Sequence, residues 1–139
     1  MNIKSLIKRV LPARIFVAVR SVPYEIVDLL RAPPQGEIIP PLRLQLDGPR
    51  GYDIFRANGQ EAFNFYVSEV GIKPDSTILD IGSGIGRKTL PLLKYLTSAG
   101  LYVGVDIDER GIKWCSRNIT SVYPNFVFFT LDIFNKLCA

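Results

Sequence analysis

The stretch TILDIGSGIG, residues 77–86, decides the fold. Thr77 to Ile81 is a short apolar run rich in β-branched residues, which predicts a strand. Gly82, Gly84 and Gly86 follow at once, so the strand ends in a turn whose backbone can approach a ligand more closely than any Cβ would allow. Arg87 to Ser98 then has a helical pattern, with Leu90, Leu93, Tyr95 and Leu96 available for burial. Pro91 stands early enough in it that only a bend is expected. Leu101 to Val105 is a second strand-like run closed by Asp106. Asp108 suits the cap of the next helix, whose inward face is expected to use Ile112, Cys115 and Ile119. Phe126 to Thr130 is a third strand-like run, followed by Asp132. Strand, helix, strand, helix, strand describes a parallel α/β unit with right-handed crossovers.

In such a sheet a ligand lies outside the carboxyl ends of the strands. Asp80, Asp106 and Asp132 each fall at or just after a strand end, so three carboxylates are expected around one crevice. Asp106 stands 20 positions beyond Gly86 and suits paired hydrogen bonds to two ribose hydroxyls. A nicotinamide fold prefers G-x-G-x-x-G with a pyrophosphate on the helix N-terminus. Here the glycines are 82, 84 and 86 and an acidic residue precedes them, a poor place for a pyrophosphate and a good one for an α-amino group. A ligand with an adenine, a ribose and a cationic amino-acid tail fits best, and a nicotinamide oxidoreductase domain is the disfavoured alternative.

Residues 78–86 (ILDIGSGIG) resemble the first motif of the class I S-adenosylmethionine-dependent methyltransferases. YVGVDID (102–108) resembles the motif on their second strand that holds the cofactor ribose, and VFFTLDIF (127–134) resembles their third motif, which flanks the adenine. The match covers about residues 72–139. It implies S-adenosyl-L-methionine as cofactor and an α/β, Rossmann-like parallel sheet of that type, first half only, preceded by a helical N-terminal arm. The resemblance places Gly82, Ser83, Gly84 and Gly86 along the methionine part and Asp80 near its ammonium. It places Asp106 at the ribose, with Ile107 next to it among the cofactor-binding residues, and Asp132 and Ile133 at the adenine. It also sets Tyr52, Phe55 and Arg56 near the methionine end, while Trp114 and Tyr123 read as packing. The family sheet has further strands, so the resemblance implies a chain that breaks off after the third, with an open apolar edge on the first strand. No residue is assigned as a catalytic base.

Upstream, Asn58-Gly59-Gln60-Glu61 has the form of an N-cap with Glu at N3, and Gly71 suits the helix stop. We divide the chain into a basic amphipathic helical arm (1–31), a Pro/Gly-rich linker and lead-in (32–57), and a partial Rossmann-like domain (58–139). The arm holds six basic and two acidic residues, which is the whole net charge of +4; the rest of the chain is neutral. A uniformly basic nucleic-acid domain is therefore not indicated. The arm has no apolar run of the ~20 residues needed to span a bilayer. It reads as a helix packing on the body or, alternatively, as a peripheral contact with an anionic membrane. With no histidine, His-based triads and His-ligated zinc are excluded. Cys115 and Cys138 lack metal spacing and read as reduced thiols, which points to the cytoplasm. The expected acceptor is a small molecule, lipid or glycan precursor; the alternatives are a non-catalytic fragment that at most binds the cofactor, or one that pairs with another chain along the open edge.

Overall fold

A computed structural model describes residues 24, 26–30 and 36–131. Three parallel strands form its centre: β1 (Thr77–Ile81), β2 (Leu101–Asp106) and β3 (Phe126–Thr130). They lie side by side in the order β1-β2-β3. The register sets Ile78 beside Tyr102 and Tyr102 beside Phe126; one step on, Asp80, Gly104 and Phe128 align. Since side chains alternate along a strand, these residues share one face, and Leu79, Ile81, Leu101, Val103, Val127 and Phe129 share the other.

The helices cover the first face. α1 (Tyr52–Phe65) runs into a wider turn, Tyr66–Val70, and stops at Gly71 with φ 73°. α2 is Thr89–Leu92, and α3 (Glu109–Cys115) is extended by the turn Ser116–Thr120. Leu92, Leu93 and Leu96 pack with Ile112, Cys115 and Ile119 onto Tyr102, Phe126 and Phe128. The Tyr102 and Phe126 rings stack with centroids 5.3 Å apart. Each such large side chain, fully buried, contributes on the order of 1.5–3 kcal/mol. The inward face of α3 is the expected one, and the Asp108 side chain caps it by accepting from the Arg110 amide.

Two helices differ from their sequence patterns. α2 is four residues long rather than spanning 87–98. Beyond it the backbone tightens, with Leu93 N bonding Leu90 O and Tyr95 N bonding Leu92 O. Thr97 N then leaves the helix direction altogether to donate to Pro74 O at 2.8 Å. Tertiary bonds to the lead-in of β1 thus outweigh a helical pattern that already contained Pro91. α1, in turn, begins at Tyr52, not at Asn58, which lies inside it. The cause is Phe55: it is fully buried and packs with Ile39 and Ile85 in a second small core that also engages Leu44, Tyr52 and Trp114.

That second core fastens the lead-in to the body. Gln45, fully buried, donates to Pro40 O and accepts from Gly51 N, the residue before α1. The Asp28 carboxylate accepts from the amides of Leu42 and Arg43 at 2.7 and 3.1 Å and pairs with the Arg43 side chain. The described part of the arm is therefore tied to the lead-in, while Ile26, Leu29 and Leu30 stay exposed. Its amphipathic beginning, residues 1–23, lies outside the described residues. Among the described residues no helix is long and apolar enough to cross a membrane. Among them too, β1 pairs with β2 alone, and Leu79 and Ile81 are 62% and 73% exposed.

Candidate cofactor site

The turn after β1 hooks over the end of β2. The amides of Gly82 and Ser83 both donate to Val105 O, at 2.8 and 3.1 Å. Gly82, Gly84 and Gly86 all have positive φ, at 83°, 54° and 78°, so three glycines let the chain fold back within five residues. Gly86 then starts the turn into α2, its carbonyl accepting from Thr89 N and Leu90 N. Close packing holds the turn from below: a side chain at Gly86 would meet Cys115 Sγ at 3.2 Å, and one at Gly111 would meet Gly84 O at 3.1 Å. Gly104 is bare for the same reason, since a side chain there would strike Phe128 and Ser83 Oγ. On the other side, nothing among the described residues lies within 4 Å of where a Gly82 side chain would stand.

Asp106 joins this turn to the end of β2. Its Oδ2 accepts from Gly84 N at 2.7 Å and its Oδ1 from Asp108 N at 2.8 Å, while its own carbonyl accepts from Leu131 N. Each carboxylate oxygen keeps lone-pair capacity for a further donor. The Leu131 bond carries the chain after β3 to the same edge. Asp132 and Ile133 follow but lie outside the described residues. Ile107 stands 55% exposed beside Asp106.

Asp80 is placed differently. Its carboxylate faces the helices, accepting from Tyr102 OH at 2.7 Å and lying 3.5 Å from Lys88 Nζ. Tyr102 OH in turn accepts from Thr89 Oγ1. Burial, reinforced by the Asp80 charge, raises the Tyr102 pKa, so this hydroxyl keeps its proton and serves as a donor. The Ser83 side chain is also turned inward: its hydroxyl is buried and without a hydrogen-bond partner among the described residues. Burial, with the Asp106 and Asp108 charges, pushes the Cys115 thiol up to about 12. It is a neutral packing group beneath Gly86 and not a nucleophile at neutral pH.

Of the residues set near the methionine end, Phe55 is core, with the Arg87 guanidinium 4.8 Å above its ring. Arg56 pairs with Glu37 and Asp53, each at 2.8 Å. Trp114 and Tyr123 pack against the cores as their pattern indicates. One residue of the site was not picked out by its sequence. Asp47, in the turn-type sequence Asp47-Gly48-Pro49 with no ligand pattern of its own, brings its Oδ2 to 3.7 Å from where a Gly84 side chain would stand, with Asp106 Oδ2 at 3.9 Å from the same point.

Parallel strands in the order β1-β2-β3, helices on one face and a triple-glycine turn at the end of β1 make this an α/β, Rossmann-like arrangement, like that of the first three strands in a class I methyltransferase sheet. Comparison with known proteins points the same way. The chain is 27% identical over 63 residues to ribosomal RNA small subunit methyltransferase H of Dictyoglomus thermophilum, a match covering 45% of this chain and 21% of that protein. It is 31% identical over 74 residues to ribosomal RNA small subunit methyltransferase A of two strains of Dehalococcoides mccartyi, covering 53% of this chain and 24% of those proteins. The matched part thus spans less than a quarter of the length of these relatives. No family model and no solved structure matches the chain.

Proposed function

We propose that this chain carries the cofactor site of an S-adenosylmethionine-dependent methyltransferase. One observation carries the reading: the glycine turn is open above Gly82 and is pinned to the carboxylate at the end of β2 by the Gly84–Asp106 bond. That arrangement suits a ligand that is rich in hydroxyls at one point and slender at the next. Asp106 would accept from the ribose hydroxyls. The backbone of Gly82, Ser83, Gly84 and Gly86 would run along the methionine part, and Ile107 would offer an apolar surface to the adenine. Asp132 and Ile133 would complete the adenine side. Asp80, neutralised by Lys88, would brace the turn from beneath. When bound, the cofactor supplies a methyl group on a sulfonium; the protein's part is to hold that methyl in line with an acceptor.

For the acceptor we retain a small molecule, lipid or glycan precursor, because the described body carries no basic excess to steer nucleic acid. Ribosomal RNA is the competing acceptor, on the strength of the relatives' names. The test is transfer of a tritium-labelled methyl from S-adenosylmethionine into fractionated small molecules, lipids and ribosomal RNA. Label in a low-molecular-weight or lipid fraction supports the reading, and label in RNA alone overturns the acceptor. Binding of the cofactor with label in no fraction would leave a binding module and remove the transfer step.

A further inference from the structure

Asp80 directly precedes the glycine turn, yet both of its oxygens are engaged on the helix side, by Lys88 and Tyr102. Asp47 is in the opposite situation. It arrives from the lead-in and is exposed, and its carboxylate makes no hydrogen bond or ion pair with any described residue. Its Oδ2 and that of Asp106 lie 3.7 and 3.9 Å from one point, the absent side chain of Gly84.

This position is constructed. Arg87 Nη2 donates to the Asp47 carbonyl, and the same guanidinium rests on the Phe55 ring. Gly48 turns the chain at φ 79°, and a side chain there would stand 3.0 Å from Arg87 Nη1. Backbone clamp and turn together fix the start of the Asp47 side chain while leaving its charge unspent.

Building on the cofactor reading above, we propose that Asp47, not Asp80, is the specificity-determining carboxylate that faces the positively charged tail of the cofactor. An unpaired carboxylate beside the turn favours a cationic ligand and disfavours an anionic one. Asp106 is left to the ribose, and the Asp80–Lys88 pair remains part of the support.

The experiment is calorimetric titration of the full chain with two ligands. S-adenosylmethionine carries the charged tail; 5′-methylthioadenosine has the same nucleoside with a neutral thioether. In Asp47→Asn, S-adenosylmethionine is expected to bind about ten- to a hundred-fold more weakly, and 5′-methylthioadenosine to bind as before. Asp47→Glu retains the preference for the charged ligand, and Asp80→Asn leaves it intact. Far-UV dichroism of each variant checks that the turn has not simply unfolded. Equal weakening of both ligands in Asp47→Asn, or a loss confined to the charged ligand in Asp80→Asn, overturns the assignment to Asp47. If the wild-type chain binds neither ligand, the cofactor reading itself fails, and this assignment with it.

Discussion

At the scale of single residues, Asp106 combines two tasks in one carboxylate. It holds Gly84 N and Asp108 N, and so ties the glycine turn to the start of α3; under the proposed function its remaining lone pairs accept from the ribose. Asp106→Ala should therefore abolish cofactor binding and also lower stability by about 1–3 kcal/mol, because two backbone donors lose their partner. Paired calorimetry and urea denaturation measure the two losses; binding lost at unchanged stability would mean that the two hydrogen bonds matter little. Cys115 makes a second expectation, this one in pH. Its thiol titrates near 9.0 when free and up to about 12 in the fold. Between those values the folded chain holds a proton that the unfolded chain has released, so stability must fall as pH rises through the window. The raised Tyr102 pKa acts in the same direction. Urea midpoints taken from about pH 8 to about pH 11 should decline, and less steeply in Cys115→Ala. Residues of the site were unequally legible. Asp106 could be read because it closes a strand-like run. Asp47 could not: its meeting with Gly84 depends on Arg87 reaching back across the fold, a contact that no local pattern encodes. The partners of Asp80 were hidden likewise, since the register, which sets Asp80 opposite Gly104 and one step from Tyr102, is a property of two strands.

At the scale of elements, the three strands were readable almost to the residue. Each is a compact β-branched or aromatic run bounded by turn residues, which is the local signal of a strand. Helix limits were not, because tertiary contacts set them. Burial of Phe55 draws the start of α1 back to Tyr52, and the Thr97–Pro74 bond ends the helical path after α2 early. Gly59 shows how closely these elements fit. It lies inside α1, where alanine would ordinarily be favoured by about 1 kcal/mol. Yet a side chain there would stand 2.5 Å from the Arg87 carbonyl oxygen, at the start of the path into α2. Gly59→Ala is accordingly expected to destabilise, by about 1–2 kcal/mol net of propensity. Urea unfolding of that variant decides the matter, and a more stable protein would show that α1 and the Arg87 backbone do not approach so closely.

At the scale of the whole molecule, the described helices lie on one side of the sheet. Its helix-covered face is the core, whereas the other presents Leu79, Ile81, Leu101 and Phe129 at exposures from 39% to 73%. Substituting a charge there should cost little, since these side chains already stand in large part in solvent. Leu79→Lys is expected to change unfolding free energy by no more than about 0.5 kcal/mol and to reduce binding of a hydrophobic dye. A loss above about 2 kcal/mol would show that the face is covered in solution. The account as a whole rests on the turn at residues 82–86 being a nucleoside-cofactor site and not a structural bend. Calorimetric titration of the purified chain with S-adenosylmethionine, repeated in the presence of excess NADH, addresses that directly. Saturable one-to-one binding that NADH leaves unchanged is the predicted result; a folded chain that fails to bind S-adenosylmethionine, or releases it to NADH, would contradict the account.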